Sequence, residues 1–179
     1  MKFRPHHRRT LVVVIVGLLL LVVQGQLNHY LAPLRLSVWL GGLFIAFSAL
    51  RLAPQQGFNA SFLLGLILDA TQPVPFGLNA FLFSIVHLLI LRVRNRFALQ
   101  HISVGISTAL ITNLVLFVVL TFVIVGQTPG AALSGVRLLC DLALSQLFIL
   151  IITPWFFALQ DSALDLARVS LRDDPTGLI

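Results

Sequence analysis

The sequence predicts an all-α polytopic integral membrane protein of six transmembrane helices with both termini in the cytoplasm. Three observations predict it. Of the 179 residues 58% are hydrophobic and only 10% charged, too little polar surface to coat a soluble globule. The apolar residues fall into six runs separated by short polar breaks. The 12 Lys and Arg lie at the ends of those runs. With an internal N-terminus, Lys2, Arg4, Arg8, Arg9, Arg51, Arg92, Arg94, Arg96, Arg168 and Arg172 fall on the cytoplasmic side and only Arg35 and Arg137 on the other. That is the bias cytoplasmic segments show. Topology therefore accounts for the formal charge of +6 without nucleic acid, for which no basic face forms. With a single cysteine, Cys140, no disulfide can form within the chain, and no Cys or His spacing resembles a metal site.

The first run, Leu11 to Tyr30, follows a basic start, MKFRPHHRR. No small-x-small cleavage site comes after it, so a retained helix is expected, with Gln24, Asn28, His29 and Tyr30 near the outer interface. The basic tail also suits anionic lipid. The second run, Leu34 to Leu50, and the third, Ala53 to Ala70, are read as further crossings. Pro73, Pro75 and Gly77 separate the third from the fourth, Phe76 to Leu91, too sharply for one helix, so the two form a tight hairpin. Full crossing by both arms is expected; charge alone also permits a re-entrant hairpin. The fifth run is Ile102 to Val125 and the sixth Leu133 to Phe157, where Pro154 predicts a kink or an end before the aromatic Trp155, Phe156 and Phe157. Asp161, Asp165, Arg168 and Arg172 then follow at helical spacing. The organisation expected is a basic cytoplasmic tail over 1–10, a six-helix domain over 11–158 and an amphipathic cytoplasmic extension and tail over 159–179. No soluble domain is evident, and the helices themselves must be the working surface.

The polar residues inside the runs are the candidates for function. A carboxylate at the bilayer centre costs about 2.5 to 3.5 kcal/mol, so Asp69 must lie near the interface or pack against protein. Gly57, Ser61, Gly65 and Asp69 recur every fourth residue, which puts three small side chains and the acid on one helix face and admits another helix closely. Asp69 can also simply cap the outer end of its helix. Gly105, Ala109 and Asn113 repeat the device in the fifth run, and Asn79, Phe83 and His87 share a face of the fourth. A lone buried histidine more often satisfies a neighbour than carries protons. Arg137 and Asp141 stand four apart and can pair within the sixth helix; a pair between Arg137 and Asp69 is the competing arrangement. No serine, histidine and acid arrangement and no paired carboxylates point to catalysis, and no cofactor is implied.

The hairpin GFxxxFLLGLILDATQPVPFGLNAFLF, Gly57 to Phe83, resembles the signature region of the rod shape-determining protein MreD family. There a glycine-rich helix ends in an aspartate, and a loop with Pro and Gly opens the next helix. Gly57, Gly65, Leu66, Asp69, Pro75, Gly77 and Asn79 carry the match, supported by Arg92 to Arg96 with the following FALQH and by the sequence from Pro154 to Phe157. The resemblance implies a non-enzymatic inner-membrane subunit of the bacterial cell-elongation machinery. It implies a direct partner in MreC, the glycosyltransferase RodA and its class B penicillin-binding transpeptidase in the same complex, and MreB filaments as indirect partners. The small-residue stripes would seat the MreC transmembrane helix. The alternative is the substrate-binding subunit of an energy-coupling-factor vitamin transporter, equal in length and span number. Its docking motif, Ala-x-x-x-Ala in the first helix, has no counterpart in LVVVIVGLLLLVV.

Overall fold

The computed structural model describes residues 5–72, 74–94, 102–127 and 135–167. Among these the chain is all-helical: α1 (Pro5–Leu31), α2 (Gly41–Arg51), α3 (Pro54–Thr71), α4 (Leu78–Arg94), α5 (Ile102–Gln127) and α6 (Gly135–Leu166). Three helical stretches, His7–Leu34, Ile102–Ile124 and Gly135–Leu166, are long and apolar enough to cross a membrane. Lys2, Arg4, Pro73, Arg96, Arg168 and Arg172 lie outside the described residues.

The largest departure from the sequence reading is the second run. In place of one helix from Leu34, α1 closes with a single 3-10 turn over Ala32–Leu34, Arg35 takes the left-handed conformation (φ 56°), and residues 36–40 have no helical structure before α2 begins at Gly41. Hydropathy predicts where apolar chain goes, not its conformation. Ser37, Val38 and Trp39 are weak helix formers and Gly41 and Gly42 weaker still, so this stretch yields wherever side chains can satisfy its backbone.

The 11-residue α2 is the centre of the molecule, buried from Gly41 to Leu50 on every side. Helices α3, α4 and α5 pack on it, α1 lies against α3 and α6, and α5 against α6. Helices α4 and α5 both rest on α2 but share no extensive contact with each other. Phe47 anchors the C-terminal half of α2 with edge-to-face rings of Phe156 and Phe157 at 6.4 and 5.2 Å. Phe44, Ile45, Leu64, Leu68, Phe83 and Leu116 form a second buried cluster.

Helix α6 continues through Pro154, so the expected helix end there does not occur. It runs on to Leu166, and beyond Phe157 it buries Gln160 and Leu164, with Gln160 Nε2 donating to the Val13 carbonyl at 3.4 Å. Beyond Phe157 the helix thus docks one face on α1.

Candidate functional site

Three groups of polar side chains hold the interior, and each satisfies backbone that its neighbours leave open. The first is the hairpin. Asp69, near the C-terminal end of α3 and 4% exposed, accepts N–H bonds from Gly77 (3.1 Å), Asn79 (2.9 Å) and Ala80 (3.1 Å). The first N–H groups of a helix have no partner within it, and a carboxylate there meets both those donors and the positive end of the helix dipole. Asp69 therefore caps α4, not its own helix as the sequence suggested, and closes the hairpin between them. The competing pair with Arg137 gives way to these three amides. Gly77 stands at φ 94°, a conformation other residues adopt only with strain, which accounts for glycine at this turn. Pro75 accepts from Leu78 N–H at 3.1 Å.

The stripe below Asp69 is filled by the chain itself. A Cβ at Gly65 would lie 2.5 Å from Ala80 Cα of α4, and one at Gly57 would collide with the Ser48 carbonyl of α2. Ser61 Oγ stands 2.6 Å from Ser48 Oγ and 3.2 Å from His87 Nδ1, joining α2, α3 and α4 at their buried centre. Serine and imidazole here have the atoms of a nucleophile and base but are sealed from solvent. The fifth-run stripe is filled in the same way: Gly42 of α2 has no room for a Cβ against Ala109 and Asn113, and the Phe157 ring would lie 3.0 Å from a Cβ at Gly105. The expectation that these stripes seat a partner's helix is corrected. They let the chain's own α2, α4 and α6 approach closely.

The third group clamps residues 36–40 and was not foreseen. Asp141 of α6 accepts Ser37 N–H at 2.8 Å and Ser37 Oγ–H at 3.1 Å. Asn28 of α1 takes the Val38 N–H at 2.7 Å and donates to the Val38 carbonyl at 3.0 Å, as a neighbouring strand would. Ser145 Oγ accepts Trp39 N–H at 2.9 Å, and Asn113 Oδ1 of α5 accepts Gly42 N–H at 3.1 Å. At the other end of α2, Arg94 donates to the carbonyls of Ala49 (3.2 Å) and Leu52 (3.0 Å). Irregular backbone at membrane depth persists only where protein satisfies it, and four helices, α1, α4, α5 and α6, combine to do so at the two ends of α2. The pairing of Arg137 with Asp141 is the weaker part, 4.0 Å apart with the cation half exposed. A sequence signal existed in Asn28, Asn113, Asp141 and Ser145, all polar in apolar runs, but nothing linked them to a segment as far as 106 residues away.

Among the described residues no group of three His, Cys, Asp or Glu could hold a metal ion. The polar interior closes loops and helix ends and leaves no open reaction centre among these three groups. No curated protein and no solved structure matches the chain. A family model described as rod shape-determining protein MreD matches residues 7–162, nearly all of the helical bundle just described. The chain thus belongs to the rod shape-determining protein MreD family, a membrane component of the rod-shape machinery.

Proposed function

We propose that this protein is a non-enzymatic, six-pass scaffold of the bacterial inner membrane. It binds MreC and through it positions the RodA and transpeptidase pair that builds the wall during elongation, with MreB filaments as indirect partners. The family match across residues 7–162 carries the reading. The use made of buried polar groups supports it: Asp69, Asp141, Asn28 and Ser145 are bonded to the chain's own backbone, the work of a rigid platform.

In this reading α2 and the extended residues before it together make the second crossing. Eleven helical residues at 1.5 Å and five extended ones at about 3.3 Å reach about 33 Å, enough for a hydrocarbon core of about 30 Å. Both termini and Arg94 then face the cytoplasm, and the hairpin loop around Gly77 faces outward.

The test is mass spectrometry of proteins retained by the tagged chain from mildly solubilised native membranes. Recovery of MreC, RodA and the transpeptidase is expected. Recovery of a transporter's ATPase subunits in their place would overturn the scaffold reading.

A further inference from the structure

The helices around α2 do not reach the same height. Contacts join α4 to α3, α3 to α1, α1 to α6 and α6 to α5, so α4, α3 and α1 form one side of the bundle and α6 and α5 the other. Close approaches fix their relative levels. Gly57 of α3 meets Ser48 of α2 and His87 of α4, and Gly17 of α1 meets Leu64, seven residues further along α3. Gly42, six residues before Ser48 in α2, meets Ala109 and Asn113 of α5, and Phe157 of α6 lies against Gly105. At 1.5 Å per residue, Gly57, Ser48, His87, Gly105, Phe157 and Leu11 therefore share one level to within about 2 Å.

Above that level the two sides part. Helix α3 ends at Thr71, about 21 Å up, and the hairpin turns back there. Helix α1 is level with it at Gln24 and continues for seven residues, about 10 Å, to Leu31. That last stretch exposes Gln26, His29 and Tyr30. At the same height, about 24 to 28 Å up, the other side exposes Phe122 and Ile124 of α5 and Leu139 of α6. At the inner end the sides agree: Arg8 on one and Leu159 on the other both lie about 3 Å below the common level. The apolar belt is thus about 23 Å tall on α1, α3 and α4 and about 31 Å on α5 and α6, against a hydrocarbon core of about 30 Å.

We propose that the α1–α3–α4 side draws the outer leaflet inward by about 8 Å and so holds a locally thinned annulus of lipid, while the α5–α6 side sits in bilayer of ordinary thickness. A belt shorter than the bilayer is met by thinning, tilting or snorkelling, and two of these do not serve here. Tilting the bundle to lift the hairpin draws Arg8 and Arg92, both exposed, into hydrocarbon at the other surface. Snorkelling needs a long flexible side chain. The exposed Thr71 at the end of α3 has none, and it stands on the shortest part of the belt. In a flat bilayer Thr71, Gln26 and the turn at Gly77 would all lie beneath the outer headgroups.

The inference rests on the proposed crossings of α3 and α4, and the experiment separates the two. In a Cys140→Ser background, single cysteines replace Gln26, Thr71 and Phe122, all three exposed, and carry nitroxide labels. The full chain is reconstituted in dioleoyl-phosphatidylcholine and in the thinner dimyristoleoyl-phosphatidylcholine. Access of a water-soluble nickel chelate is compared with access of oxygen, which concentrates in hydrocarbon. In the thicker lipid the labels at Gln26 and Thr71 are expected to meet the chelate about threefold or more as often as the label at Phe122, although all three lie at nearly the same height. Equal protection of all three in the thicker lipid, with Gln26 and Thr71 wet in the thinner one, would mean that the bilayer stays flat and would overturn the proposal. A Thr71 label that is dry even in the thinner lipid, where no thinning is needed, would sink the crossing of the hairpin itself.

Discussion

Asp69 shows how much one side chain can do when its acceptors are aimed at a helix start. Three amides of the next helix converge on it, so Asp69→Ala leaves all three without an acceptor and removes the charge from the α4 dipole. A cost of about 2 to 4 kcal/mol is expected, read as a fall of roughly 5 to 15 °C in detergent melting. Gly77→Ala meets open space, and only its left-handed backbone resists, so about 1 to 2 kcal/mol is expected. The paired acid of α6 sorts the same way. Arg137→Ala loses a half-exposed contact of 4.0 Å and should change stability by less than about 1 kcal/mol. Asp141→Ala abandons the Ser37 amide and hydroxyl and should cost several times more, a ranking that equal losses in the two variants would refute. Polar residues at helical spacing were visible in the sequence, but spacing along one helix could show only Arg137 beside Asp141, never Ser37.

At the scale of elements, the hairpin was legible and the extended stretch before α2 was not, for one physical reason. The hairpin is local: Asp69, Pro75 and Gly77 lie within nine residues, and the turn chemistry that joins α3 to α4 is written in that span. The small-residue stripes were legible as surfaces of close approach, because a missing side chain implies a near neighbour wherever that neighbour originates. Which helix fills them depends on the whole topology, and it proved to be α2, α4 and α6. The extended stretch before α2 depends on acceptors 10 to 106 residues distant, and apolarity alone made the run look continuous. Amide exchange resolves its clamp residue by residue. Ser37, Val38 and Trp39 should exchange as slowly as helical amides in the wild type. Asp141→Ala should release Ser37 while Asn28 still protects Val38, and Asn28→Ala should do the reverse; a common acceleration of all three in either variant would mean that the stretch opens as one unit.

On the scale of the whole molecule, α3, α4, α5 and α6 pack around one short helix buried from Gly41 to Leu50, so the bundle has a core in the sense a soluble domain does. The proposed crossing pattern is open to direct test. In a Cys140→Ser background, single cysteines at Phe76 and Leu34, both exposed, should react with an impermeant thiol reagent from outside the membrane. One at Arg92 should react only after permeabilisation. An unlabelled Phe76 site would favour the re-entrant hairpin. The clamp on residues 36–40 also sets an order of events during synthesis. Ser37 emerges 104 residues before Asp141, and at about 5 to 20 residues per second it waits on the order of 5 to 20 s for its acceptor. An 11-residue helix preceded by bare amides is a poor passenger for release into lipid. The nascent chain must therefore be sheltered, by the insertion machinery or by α1 through Asn28, until α6 arrives to complete the clamp.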